Sequence, residues 1–450
     1  MQNTFRSMAA LAALCCLSLS AAIAQGNQPG PLRVGIATAD ITPEAPVAQP
    51  GFAGRQGASS GVARPLLAQC VLFDNGQTRL ALIAMDLLNL SYNQLLGLRA
   101  AAEREGIPQQ HLMVNVSHTH FGAAFGGDRN PEYDALFAER ARALFGRAAA
   151  DLQPALLDFT IGSCTMGMNR RQLNDQGRSV RINPEPRKQI DPDVPVLRVL
   201  DPEGRARAVL FGYACHPTTA ALRMMNLVGT DYPGYARDWV AAAYPGAEAI
   251  FFQGCGGDIK TRAIRPANGR ATGQFHLVLL DERESKAAVG YELGRAVVAA
   301  TAVTPTPVPA DRPADPRQAL NTPVPLGGIV ETVALPSKAD PAVMGRTLHH
   351  QGMWRIGDVF IWGGQGEMLS NIGLHVKEKL PGLRLWTCGY THYGGGYFAD
   401  AASYPEGGYE VQNSAFGPQA EGIVVENAVR YVRELQANPV HARPIPRVSG

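Results

Sequence analysis

The chain has 450 residues, of which 46% are hydrophobic and 18% charged, with a formal net charge of +2. That length buries a sizeable core, and the composition excludes a disordered or fibrous protein. The charge is spread without long like-sign blocks, which gives no support to nucleic-acid or anionic-membrane binding.

The N-terminus reads as an address. Arg6 precedes the apolar run "MAALAALCCLSLSAA", and Ala22-Ile23-Ala24 supplies the small-residue pattern of a cleavage site. Residues 1–24 are therefore expected to be a signal peptide cut after Ala24, leaving a secreted or periplasmic chain from residue 25 to 450. Cys15 and Cys16 lack the frame of a lipoprotein signal, and no later segment reaches the length of a transmembrane helix.

Next, "LRVGIATADITP" predicts a strand that leaves into a turn, followed by the glycine-rich loop "GFAGRQGASSG". "LLAQCVLFD" and "RLALIAMDLLNL" bracket the hairpin signal "NGQ". "NQLLGLRAAAEREG" has helical period with a glycine stop, "HLMVNVS" reads as a strand, and "PEYDALFAERARALFGRAAADLQP" as a long amphipathic helix. "VPVLRVLD" and "RARAVLFGYAC" predict paired strands, "DYPGYARDWVAAAYPG" a helix, "AEAIFFQGC" a strand and "AAVGYELGRAVVAATA" a helix. The Pro-rich stretch from Thr304 to Pro325 is expected to be extended. "MWRIGDVFIWGGQGEML" predicts a strand, a loop and a helix beginning at the Glu, and "AEGIVVENAVRYVRELQ" a last helix. The alternation predicts an α/β chain with mixed β-sheets flanked by helices in one large catalytic domain.

Five of the seven cysteines lie beyond the leader: Cys70, Cys164, Cys215, Cys255 and Cys388. No CxxC pair occurs, which argues against a cysteine zinc site, and an odd count leaves at least one free thiol. The spacing assigns no disulfide.

Four strand ends carry unusual polar groups: "NVSHTHFGA", "FGYACHPTTA", "FFQGCGGDIKTR" and "IWGGQGEML". In α/β sheets, sites gather on loops beyond such ends. Residues i and i+2 of a strand point the same way, so His118 and His120 can face one cavity as metal ligands, or be ordinary hydrogen-bonded histidines. His216 alone is as well read as structural, and Glu367 alone as a helix-start capping group. Asp231 fits an N-cap or support for a histidine. The loop "GYTHYGGGYFADAASYPEGGYEV" fits either a packed cover or a recognition surface built from tyrosines.

Taken together, "GIATADITP", "VSHTHFGA", "MNRR", "DPDVPVLRV", "CHPTT", "GTDYPGYA", "QGCGGD", "GGQGE" and "GGYFADAASYPEGGYEV" follow the order of the neutral ceramidases. The chain resembles that family's catalytic domain over residues 32–435, without its C-terminal immunoglobulin-like domain. The resemblance implies a zinc ion held by His118, His216, Glu367 and Tyr397, the last placed by its intervals to Tyr404 and Tyr409. In this chain "ADAAS" replaces the family's Thr and Glu positions between them. The resemblance further implies that His120, Arg170 and Tyr409 line the reaction centre, with His120 passing a proton to the leaving nitrogen. Arg170 and Tyr409 would donate hydrogen bonds to the oxyanion or a polar substrate group.

The expected activity is zinc-dependent hydrolysis of an N-acyl amide, ceramidase-like, on a small-molecule or lipid substrate. "GDIKTR" departs from the family's "SPN"-like stretch, and Lys260 and Arg262 there fit a more polar or anionic substrate as well as a solvated loop end. A zinc hydrolase of another ester or amide stays open, as does a non-catalytic periplasmic binding protein. A metallophosphatase lacks its D-x-H and GNH[DE] motifs, and a serine hydrolase lacks its G-x-S-x-G elbow.

Overall fold

A computed structural model of the chain describes residues 30–125, 129–219, 224–262, 282–303, 305–339 and 347–437. The signal-peptide expectation falls on residues outside that set.

Among the described residues, the sheets are mixed and flanked by helices. A nine-stranded sheet packs face to face against a five-stranded one. The strand Arg79–Met85 shows why: Leu80, Leu82 and Ala84 point into the core between the sheets, and Ala81, Ile83 and Met85 point to the opposite face. The helices Tyr92–Arg104 and Pro131–Ala150 cover that face with Leu95, Leu98, Phe137, Leu144 and Phe145. The helices Ser370–Lys379 and Ala420–Ala437 cover the other half of the same sheet through Ile372, Val376, Val424 and Tyr431. The smaller sheet is backed by Tyr232–Ala243 and Glu282–Ala302 through Tyr232, Val240, Leu293 and Val297. Four layers result, helix on sheet on sheet on helix. Each fully buried Leu, Val or Phe contributes roughly 1.5–3 kcal/mol to holding them.

The hairpin predicted at "NGQ" joins Leu67–Asp74 to Arg79–Met85 in antiparallel register, and Gly76 takes a φ of 82° in its turn. Asp193–Leu200 and Ala206–Tyr213 pair as expected. Three expectations need correction. The tyrosine-rich stretch read as a loop contains the strand Tyr397–Phe398 and the short helices Ser403–Glu406 and Tyr409–Gln412. The Pro-rich stretch is not extended throughout: Pro316–Leu320 forms a short helix, which Asp315 caps by accepting from the Arg317 amide at 2.9 Å. Glu367 does not start a helix either. It lies on the short strand Glu367–Met368, and the helix begins at Ser370.

The arrangement gathers strand ends. Arg79–Met85 and Leu112–Val116 run parallel, as do Val359–Gln365 and Arg384–Thr391, and these two pairs meet at Asn115 and Thr391 near their C-terminal ends. In the smaller sheet Ala206–Tyr213 and Glu248–Gln253 run parallel. Buried Asn115 ties the sheets together there. Its amide donates to the carbonyls of Gly389 at 2.9 Å and Gln253 at 3.2 Å, and its Oδ1 accepts from the Gln253 amide at 2.8 Å. Gln253 in turn donates to the Cys215 carbonyl at 2.7 Å, immediately before His216.

No helix among the described residues is long and apolar enough to cross a membrane. All five cysteines beyond residue 24 are free and buried.

Candidate metal and active site

The loops beyond these strand ends bring His118, His120, His216, Glu367 and Tyr397 together, with Arg170 and Tyr409 beside them. His118 follows the strand Leu112–Val116 with a φ of 62°, a left-handed conformation uncommon outside glycine. Its Nδ1 lies 2.7 Å from the Leu88 carbonyl, and His216 Nδ1 lies 2.6 Å from the Gly256 carbonyl. A carbonyl only accepts, so in both rings Nδ1 carries the proton and Nε2 of the neutral ring presents a lone pair.

Both lone pairs face the same carboxylate oxygen. Oε2 of Glu367 lies 2.9 Å from His216 Nε2 and 3.4 Å from His118 Nε2. Burial above all holds the His216 imidazole down at about 4, which keeps it neutral at ordinary pH. Burial alone would raise the Glu367 carboxyl, but the two neighbouring histidines outweigh it and hold the group well below the usual range. Three acceptors thus converge in a pocket where each residue is at most 9% exposed. A cation between them satisfies all three. The nitrogen and carboxylate donor set, backed by carbonyls on the far ring nitrogens, is the kind that suits zinc. His120 belongs to the same group: ring nitrogens of His118, His120 and His216 lie within 4.8 Å of one another. Burial first, then the adjacent His118 and His216, hold the His120 imidazole well below its ordinary value.

Glycines let the backbone come this close. A Cβ on Gly257 would lie 2.6 Å from the Glu367 carbonyl oxygen, so only glycine permits the "QGCGGD" loop to lie against the strand that carries Glu367. Gly51, with a φ of 101°, packs its bare Cα against the His120 ring, where a Cβ would lie 2.5 Å from Nδ1. The glycine-rich loop near residue 50 is thereby part of the site wall, fastened by Arg55, which donates to the His120 carbonyl at 2.7 Å.

Tyr397 pairs in register with Glu367 through the parallel strands Glu367–Met368 and Tyr397–Phe398. Its ring lies 6.5 Å from that of His216 at an interplanar angle of 18°. Burial and the Glu367 carboxylate push its phenol well above the ordinary value, against the pull of Arg170. Arg170 Nη2 donates to the Tyr397 hydroxyl at 2.8 Å, and its Nε donates to buried Glu410 at 2.9 Å. Tyr409 packs its ring 5.4 Å from Tyr397 and stays 46% exposed, at the solvent side.

Asp231 caps its helix by accepting from the Tyr232 amide at 2.5 Å and also accepts from the Thr219 amide at 2.8 Å. It therefore holds the loop that follows His216 through backbone amides. Arg262 pairs with exposed Glu292 at 2.9 Å, whereas Lys260 bridges backbone to backbone with His216. Burial, with Arg170 adding to it, brings the Lys260 ammonium down to about 8.

Three residues near the site went unread in the sequence. Glu410 and Arg55 had no pattern to mark them. Tyr390 was visible only as one of several tyrosines in its loop.

No protein-family model matches the sequence, and no curated protein matches it. Solved structures do share its architecture. The crystal structure of neutral ceramidase from Pseudomonas aeruginosa is similar with a TM-score of 0.72 and 18% identity, covering 92% of this chain and 76% of that one. A structure of ceramidase complexed with C2 is similar with a TM-score of 0.72 and 17% identity, covering 92% of this chain and 77% of that one. The chain has a neutral ceramidase-like fold.

Proposed function

We propose that this chain is a secreted or periplasmic, zinc-dependent hydrolase of an N-acyl amide bond in a ceramide-type lipid. The observation that carries this reading is the convergence of His118 Nε2, His216 Nε2 and Glu367 Oε2 on one buried point, with His120 beside them. The likeness in fold to ceramidase structures supports the choice of bond and substrate class.

On this reading His118, His216, Glu367 and Tyr397 hold the metal. Bound zinc lowers the pKa of water toward neutrality and polarises a carbonyl. The attacking water forms a bond to the acyl carbon, the carbonyl electron pair moves onto oxygen, and the carbon–nitrogen bond then breaks. His120, neutral before reaction because it is buried among like groups, takes the proton from the attacking water and returns it to the leaving nitrogen. Arg170, held by Glu410, keeps Tyr397 oriented and brings positive charge to the site. Tyr409, half exposed beside Tyr397, donates to a polar group of the substrate.

A second reading keeps the metal and changes the substrate to a more polar or anionic amide or ester. The bridge between Lys260 and His216 favours it, because it brings a cationic residue to the strand beside a proposed ligand. A hydrolysis screen of zinc-loaded protein against ceramides, N-acyl amino acids and simple esters separates these. Turnover of ceramide supports the first reading. Turnover of N-acyl amino acids or esters alone supports the second, and zinc-free binding without turnover supports a non-catalytic role.

A further inference from the structure

Tyr390 lies one residue before the end of the strand Arg384–Thr391 with a φ of 53°, left-handed like His118. Such a conformation in a bulky residue persists only where the surroundings enforce it, and it concentrates at functional sites. Here the Tyr390 amide donates to the Gly366 carbonyl at 2.9 Å, just before Glu367, and this fixes where the side chain goes. The ring lies 4.5 Å from that of His118 and 6.1 Å from that of His216. Tyr390 is 5% exposed, yet its hydroxyl has no hydrogen-bond partner among the described residues. Tyr397, in contrast, already receives a bond from Arg170.

A buried hydroxyl without a partner is costly and calls for an explanation. The same condition recurs around it: Ser117 Oγ, His120 Nδ1 and Thr218 Oγ1 also lack partners among the described residues. These atoms belong to residues in or next to the segments that carry His118 and His216.

We infer that Tyr390 is a further catalytic residue, whose hydroxyl donates a hydrogen bond to the acyl carbonyl oxygen as that oxygen gains negative charge. The inference rests on the hydrolase reading above. A phenol keeps its proton at ordinary pH, so the unpartnered Tyr390 hydroxyl acts as a donor. Its proton stays on Tyr390 throughout: the bond strengthens while the oxygen is negative and relaxes when the carbon–nitrogen bond breaks. A donor aimed at a developing oxyanion commonly contributes about 100- to 1000-fold in kcat.

The test is Tyr390→Phe in the zinc-loaded protein, with N-dodecanoyl sphingosine as substrate and a long-chain alkyl phosphonate as a stable mimic of the tetrahedral state. We expect kcat to fall by about 100-fold or more with KM little changed, and phosphonate affinity measured by calorimetry to fall by about 10-fold or more. Zinc content should stay at the wild-type value, and the thermal midpoint should hold or rise, because the deleted hydroxyl makes no bond. Wild-type kcat and phosphonate affinity in Tyr390→Phe overturn the inference and leave the hydrolase reading standing. Lost zinc or a lowered thermal midpoint makes the hydroxyl structural and also overturns it. A wild-type protein that neither hydrolyses the amide nor binds the phosphonate overturns the reading itself, and the inference with it.

Discussion

Arg170 Nη2 donates to the hydroxyl of Tyr397 at 2.8 Å, joining residues separated by 227 positions in the chain. The bond reaches further than these two. Glu410 accepts from Arg170 Nε at 2.9 Å and from Arg171 at 2.8 Å, so one buried carboxylate fixes two guanidiniums, and one of those fixes the tyrosine. The orientation of Tyr397 therefore depends on a carboxylate that reaches it through Arg170.

Glu410→Gln removes the carboxylate paired with buried Arg170 and one of the two paired with buried Arg171, which also donates to Glu406. Breaking a buried pair from one side typically costs about 3–5 kcal/mol. Urea denaturation should show a loss of that size, with kcat lowered in the folded fraction because Arg170 is no longer held on Tyr397. A loss below about 1 kcal/mol with unchanged kcat contradicts this role.

Gly51→Ala places a methyl group 2.5 Å from His120 Nδ1. The ring must shift, and misplacement of a reacting group by about 1 Å can cost about 100-fold in rate. The three atoms nearest that methyl all belong to His120. The variant should bind zinc normally and lose most of its turnover. Normal turnover would mean that His120 does not move protons in the reaction.

Acid should destabilise the fold through histidines other than the proposed zinc ligands. Burial first, then its neighbour His350, brings the His349 imidazole down to about 3, and burial with Arg99 brings His350 down to about 4. Burial, then His350 and Arg99, holds His392 well below its ordinary value. Their folded values lie below the unfolded value of 6.5, so the unfolded chain takes up protons first. The stability they provide is complete above pH 6.5 and is lost as pH falls toward 4 and then 3. Each histidine adds a slope of about 1.4 kcal/mol per pH unit in that window. His349 has both ring nitrogens unpartnered among the described residues and packs on Phe398 and Phe416. Thermal midpoints from pH 7 to pH 5 should therefore fall less steeply in His349→Leu than in the wild type. Parallel curves would remove His349 from the account.

Much of this was legible in the sequence because it is local. Alternating and helical apolar patterns placed the strands and helices, and the polar groups at four strand ends pointed to one face of the molecule. His118 and His120 were found that way, and they do lie in one cluster with His216. What escaped is set by contacts between distant parts of the chain. Glu367 looked like the start of a helix because "GGQGE" says nothing of its strand partner at Tyr397. The helix Pro316–Leu320 was hidden by prolines that suit a first helical turn as well as an extended chain. Glu410 lies in the short helix Tyr409–Gln412, inside a stretch that reads as a loop, and only the fold brings it to Arg170 and Arg171. The meeting of two parallel strand pairs at Asn115 and Thr391 is likewise a tertiary fact.

The most direct test of the central claim is the zinc content of chelator-treated protein titrated with zinc, read together with amide hydrolysis, for the wild type and for His118→Ala, His216→Ala and Glu367→Gln. The account predicts one zinc per wild-type chain, with turnover restored in proportion. In each variant, zinc affinity and turnover should fall by more than the roughly 10- to 100-fold that loss of a supporting hydrogen bond costs. Full turnover without metal, or variants that bind zinc and hydrolyse the amide as the wild type does, would contradict it.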